Sequence, residues 1–158
     1  MAGYDLTEGR YENRTLSDDE MWSAFSNLFS SHSKNSSSYK FGFLKAIMDN
    51  LYNVDENLAL TFDQLFGTFT EVYWNLVLKH GIRQQPVSER SNGTYLEQAL
   101  NLTAVKYTIT PEIPFESISD EAKIEVCKKV KNKCKVNVVG ALFGDTKGLF
   151  YSFSRKEE

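Results

Sequence analysis

The sequence has few of the side chains on which hydrolytic and metal-dependent sites depend. Its 158 residues include only two cysteines and two histidines. Serine and cysteine hydrolases use a histidine base to activate the nucleophile, and zinc sites use clustered cysteines and histidines. His32 lies in a serine-rich stretch and His80 at the end of a predicted helix, so each has an ordinary structural explanation. We therefore expect no catalytic residue, no metal ligand and no cofactor.

Disulfides and membrane spans are equally poorly supported. Cys127 and Cys134 stand in a lysine-rich stretch, and their spacing fits neither a disulfide framework nor a four-ligand zinc site. No apolar run approaches the roughly 18 residues that a membrane-spanning helix needs, and the acidic start does not resemble a secretion signal. We expect reduced, structural thiols, no membrane partner and a cytoplasmic location.

Aromatic and aliphatic side chains are plentiful by comparison. The apolar fraction is 41% and the aromatic fraction is 13%. Each buried aromatic side chain removes about 150 to 250 Å² from water, so a chain of this length can form a core without disulfides. We expect an ordered domain over residues 17–158, preceded by a flexible N-terminal arm at residues 1–16.

Capping boxes predict where several helices begin. Ser17 to Glu20, Thr61 to Gln64 and Thr94 to Glu97 each place a hydroxyl three residues before a carboxylate or amide. The second of these helices should continue to Lys79 and His80, where Gly81 ends it. The third should run to about Ala104.

Two further helices follow from apolar spacing. One begins at Ser37 or Ser38 and runs to about Asn53, with Leu51 on its buried side. The other begins after Ser119 and directs both cysteines toward the core.

In the last part of the sequence, the spacing of the apolar residues changes from that of a helix. Residues 136–143 and 149–153 are short apolar runs around a glycine-bounded turn, which is typical of a β-hairpin. A third short strand around residues 106–110 would help to hold that hairpin. The predicted class is therefore α+β, mainly α, with about five helices and a C-terminal β-hairpin.

Charge is distributed unevenly along the chain. Residues 1–79 carry 6 basic and 11 acidic side chains, whereas residues 80–158 carry 12 and 10. Within the basic half, six lysines surround a single glutamate, Glu125. A helix with this pattern can contact a phosphate backbone, and the alternative is a solvated helix face. The candidate nucleic-acid-binding residues are Lys123, Lys128, Lys129, Lys131, Lys133, Lys135 and Arg155.

Two stretches resemble the N-terminal helical region of bacterial and phage HNH endonucleases. They are Ser38 to Asp49, SYKFGFLKAIMD, and Gly140 to Asp145, GALFGD, with LFYSF at 149–153. In that family a helical region precedes a compact ββα-metal nuclease module. The residues after Phe153 supply neither the cysteines nor the histidine and asparagine of that module, so the resemblance carries over no catalytic residue. It implies a part that holds DNA or a partner.

Two functions follow as hypotheses. The first is a non-catalytic module that binds DNA or a protein partner. The second is a small phage or mobile-element protein that inhibits a bacterial defence nuclease, of the anti-CRISPR or anti-restriction type, by protein contact. The acidic N-terminal half favours the second, because a surface rich in carboxylates can occupy a groove built for phosphates.

Overall fold

The computed structural model describes residues 15–30, 37–84 and 93–153. Within these ranges the chain is helical and has no β-strand. Its α-helices are α1 (Asp18–Phe29), α2 (Tyr39–Asp49), α3 (Phe62–Tyr73), α4 (Tyr95–Lys106) and α5 (Asp120–Asp145). A π-helical turn, Trp74–Lys79, continues α3, and short 3-10 helices cover Leu51–Asn53 and Phe115–Ser117. The predicted α+β class is therefore wrong.

The helix starts confirm the capping boxes. The hydroxyls of Ser17, Thr61 and Thr94 each accept a hydrogen bond from the backbone N–H three residues on, and the backbone N–H of each donates in return to the side chain of that residue. At α2 the N-cap is Ser38, as the sequence allowed, but its hydroxyl makes no capping bond. That hydroxyl lies 3.1 Å from the Tyr73 hydroxyl instead, so it joins α2 to α3.

The predicted C-terminal hairpin is the main error. Residues 136–145 continue α5, and residues 146–153 form a turn and irregular chain. Cys134, Val138, Leu142 and Thr146 are all buried, and they recur every four residues as a helix requires. Burial of this stripe outweighs the preference of valine for strands, which is under about 1 kcal/mol per residue.

The glycine-bounded turn is a helix C-cap. The Lys147 N–H donates to Gly144 O at 3.1 Å, and the Gly148 N–H donates to Phe143 O at 2.9 Å. Those two bonds form a Schellman motif, which satisfies the last carbonyls of α5. Lys147 occupies the left-handed position of the motif at φ +52°, and Gly148 follows it at φ +69°, a conformation that glycine adopts without strain.

The predicted third strand around residues 106–110 is also absent from the described chain. The N–H of Thr108 donates to Val105 O, and that of Ile109 to Ala104 O, so this stretch closes α4 with a second Schellman motif. Thr108 takes φ +53° to do so. Tyr107 and Ile109, whose alternation indicated a strand, therefore belong to the end of a helix.

The chain divides into two compact units. The central unit comprises residues 37–135, and the terminal unit comprises residues 1–36 with 136–158. Aromatic rings build the core of the central unit, where Phe43, Phe66, Phe69 and Tyr73 are each at most 1% exposed. In the terminal unit Phe25 lies 5.0 Å from Phe150, measured between ring centroids. Residues 1–14 of the expected arm lie outside the described residues, and the single domain over 17–158 stays a prediction.

Candidate functional site

Within the described chain, at least three of the candidate lysines form ion pairs. Lys129 Nζ lies 2.7 Å from Glu125, one helical turn before it, and Lys131 Nζ lies 2.9 Å from Asp63. Lys123 Nζ lies 3.5 Å from Asp120. Because a neighbouring carboxylate offsets each of these cations, their attraction for a phosphate backbone is reduced.

Two of the remaining lysines lie beside aromatic rings of different helices. Lys135 Nζ lies 5.1 Å from the centroid of the Phe62 ring at the start of α3, and Lys133 Nζ lies 5.9 Å from that of Tyr95 on α4. Lys128 is exposed. The lysine run is therefore spread over two sides of α5 rather than gathered into one stripe. Arg155 lies outside the described residues.

Glu125 is the centre of a charged network on the α4 side of α5. Hydrogen bonds from Lys106, Lys129 and Tyr107 lower the pKa of its carboxyl to about 2. The Lys106 bond is 2.5 Å and the Tyr107 bond 2.8 Å. Because Glu125 stays ionised in the middle of the lysine run, its pairing with Lys129 persists down to acidic pH.

A second candidate surface comprises the last residues of α2 and the turn-rich chain that follows it, which we call the 48–58 segment. Four of its five apolar side chains are exposed, namely Met48 52%, Leu51 54%, Tyr52 98% and Leu58 81%, whereas Val54 is half-buried. Within the described chain, no other window of this length holds four such side chains. Exposed apolar side chains gathered within one short segment make it a candidate interaction surface.

Hydrogen bonds anchor this segment to α2 and α3. The buried Asn50 amide donates to Ala46 O at 2.9 Å and to Thr68 Oγ1 at 2.8 Å. Asn53 Nδ2 in turn donates to Asn50 Oδ1, and Gln64 Nε2 donates to Asn53 O. The apolar side chains therefore project from an anchored backbone.

Asp55 closes the turn that presents Leu58. Its Oδ1 accepts hydrogen bonds from the N–H groups of Asn57 at 2.9 Å and Ala59 at 2.7 Å. Leu58 has φ +58°, a left-handed conformation that is unfavourable for a side chain with a Cβ. Such strain persists where the surroundings impose it, and it is concentrated at functional positions.

The sequence prediction missed this surface because it placed Leu51 on the buried side of a helix reaching Asn53. α2 ends at Asp49, and only a 3-10 turn follows. A usable signal was present, since Asn50, Asn53, Asp55 and Asn57 give the density of Asn and Asp that is typical of turns. Apolar residues inside such a stretch are candidates for exposure.

The cysteines and histidines show no arrangement that suggests chemistry. Burial raises the pKa of the Cys134 thiol to about 12 and, with a smaller opposing hydrogen bond from Thr70, raises that of Cys127. Both thiols are unpaired, and no group of three or more potential metal ligands occurs among the described residues. His80 is exposed after the π-helical turn, and His32 lies outside the described residues.

Comparison with protein-family models, curated proteins and solved structures finds no match for this chain. Among the helices of the described residues, none has the length and apolar character needed to span a bilayer.

Proposed function

We propose that this chain is a non-catalytic binding module that acts by contact with a protein partner through the 48–58 segment. The observation that carries the proposal is the exposure of four large apolar side chains on one anchored segment. Tyrosine is enriched among residues that dominate binding energy, and Tyr52 is 98% exposed. Because the backbone is already held in place, little ordering entropy opposes binding.

The proposal keeps a cytoplasmic setting and assigns the chain no catalytic residue. It is compatible with both expectations from the sequence, a partner-holding part that resembles the N-terminal region of HNH endonucleases and an inhibitor of a defence nuclease. The inhibitor hypothesis gains from the position of the segment in the acidic half of the chain.

Nucleic-acid binding through α5 is the second candidate. Exposed Lys128, and Lys133 beside the Tyr95 ring, favour it, because a cation next to an aromatic ring suits a phosphate and a base. The ion pairs of Lys123, Lys129 and Lys131 weigh against it.

Site-specific photocrosslinking separates the two candidates. A photoreactive phenylalanine analogue replaces Tyr52 in one variant and Lys128 in the other, and both are irradiated in bacterial cells. We expect a discrete protein adduct from position 52 only. Excess unlabelled wild type should suppress that adduct, whereas excess Tyr52→Ala should not. A nucleic-acid adduct from position 128, with none from position 52, would overturn the proposal.

A further inference from the structure

The charge around the 48–58 segment indicates what kind of surface it contacts. Residues 46–78 contain five acidic side chains and no lysine, arginine or histidine. Two of the five are paired, Asp49 with Lys45 and Asp63 with Lys131. Asp55 and Glu56 lie inside the segment itself, and both are exposed. The apolar side chains are therefore bordered by negative charge.

The negative charge makes two classes of partner unfavourable. Nucleic acid and anionic lipid both carry dense negative charge, and like charges brought together across an interface oppose binding. A basic protein surface has the complementary sign, and it also gains from steering during encounter.

The apolar side chains add a requirement of shape. Tyr52 is a rigid, amphipathic side chain with two rotatable χ angles, which suits insertion into a pocket at low entropy cost. Leu58 projects from a turn whose conformation is set by Asp55. A partner that covers both side chains must offer an apolar recess within its basic surface.

We infer that the 48–58 segment docks on a basic protein surface that contains an apolar pocket for Tyr52. This inference rests on the proposed function, and it adds the chemistry of the partner. The acidic side chains favour a partner surface of positive charge. The exposed apolar side chains determine where that surface makes contact.

A titration monitored by amide chemical shifts tests the inference without a known partner. The probe is a synthetic helical peptide of lysine and leucine, compared with versions in which glutamate replaces lysine or alanine replaces leucine. Duplex DNA and phosphatidylserine vesicles are titrated as two further probes. We expect the lysine–leucine peptide to shift the amides of residues 48–58 more than those of residues 112–121, an acidic stretch of the same unit. The other probes should leave residues 48–58 unchanged or bind them at least about fivefold more weakly.

Two matched variants separate charge from shape. Glu56→Lys should weaken binding of the lysine–leucine peptide about fivefold, and Tyr52→Ala by about the same factor. Glu121→Lys reverses an exposed charge at the start of α5 and should change the affinity less than about twofold.

Three results would overturn the inference: no binding of the lysine–leucine peptide, equal shifts at both acidic stretches, or binding of any comparison probe to residues 48–58 within about fivefold of the lysine–leucine peptide. If the position 52 photocrosslink still captures a partner, only the chemistry of the partner is wrong. If the photocrosslink fails, the proposed function fails with it.

Discussion

At the scale of single residues, Gly42 and Gly67 show how the same residue type serves different purposes in neighbouring helices. A Cβ at Gly42 of α2 would overlap the ring of Tyr73, whereas a Cβ at Gly67 of α3 would meet nothing within 4 Å. The ring cannot easily move, because the Tyr73 hydroxyl donates to Ser38 O at 2.7 Å. Gly42 therefore allows the close approach of α2 to α3.

Substitution of the two glycines by alanine should have opposite effects. Gly67→Ala should raise the free energy of unfolding by up to about 1 kcal/mol, the helix-propensity gain. Gly42→Ala has the same gain, but overpacking costs about 1 to 3 kcal/mol, so the net effect should be a loss of up to about 2 kcal/mol. Urea denaturation of both variants measures the difference. A gain from Gly42→Ala would contradict the close contact.

Leu58 offers a test of strain at the proposed contact. Leu58→Gly should raise the free energy of unfolding by up to about 1 kcal/mol, because glycine takes a positive φ without strain. Leu58→Ala keeps the strain and should leave stability nearly unchanged, since the side chain is 81% exposed. Both variants should bind the partner more weakly than wild type. Stability is measured by urea denaturation, and a loss of stability in Leu58→Gly would show that the turn is not strained.

At the scale of elements, the sequence predicts helix starts better than helix ends. The boxes at Ser17, Thr61 and Thr94 are local hydrogen-bond patterns, so they can be read from four adjacent residues. The end of α5 depends on burial of Val138 and Leu142, which short-range patterns do not reveal. Glycines 144 and 148 fit either a hairpin turn or a helix cap, and burial decides between them.

Glu97 has a role beyond its capping box. Its side chain is nearly buried, and its carboxylate accepts hydrogen bonds from the N–H groups of Thr94 at 2.8 Å and Gln84 at 3.0 Å. Burial by itself would raise the pKa of Glu97, but these donors and Arg83 outweigh it and hold the pKa below the usual 4.5. The ionised carboxylate therefore stabilises the start of α4.

Glu97→Gln should lower the free energy of unfolding at neutral pH by about 1 to 3 kcal/mol. The substitution removes the negative charge that strengthens the hydrogen bonds from the buried N–H groups. Since the pKa is lowered in the folded state, the stabilisation is present above about pH 4.5 and is lost as the pH falls through the folded pKa. Urea denaturation across this range should show the two proteins converging at low pH. A constant difference would contradict the ionised role. Glu71→Gln, at an exposed position, is the control and should change stability by less than about 0.5 kcal/mol.

At the scale of the whole molecule, the lysine run and its local pairs with Asp120 and Glu125 could be predicted from the sequence, but the pairing of Lys131 with Asp63 could not. Asp63 is 68 positions before Lys131 in the sequence, yet it lies 2.9 Å from it in the folded chain. The same limit applies to the 48–58 segment, whose exposure depends on where α2 ends. Interaction surfaces are set by tertiary contacts, so composition alone favours the wrong patch.

Duplex DNA binding measured over a salt series tests the strength of the lysine surface. Six unpaired lysines would give a slope of log affinity against log salt near about −5, whereas the three ion pairs should limit it to about −3 or shallower. Glu125→Gln removes the carboxylate that pairs with Lys106 and Lys129, so it should steepen the slope. A wild-type slope near −5 would favour the nucleic-acid candidate.

The most direct test of whether the 48–58 segment is the contact surface is to measure the affinities of Tyr52→Ala and Lys128→Ala for the captured partner. Both side chains are exposed, so neither substitution should disturb folding. Tyr52→Ala should weaken binding about tenfold or more, and Lys128→Ala less than about twofold. Equal affinities for Tyr52→Ala and wild type, or a larger loss in Lys128→Ala, would show that the 48–58 segment is not the contact surface.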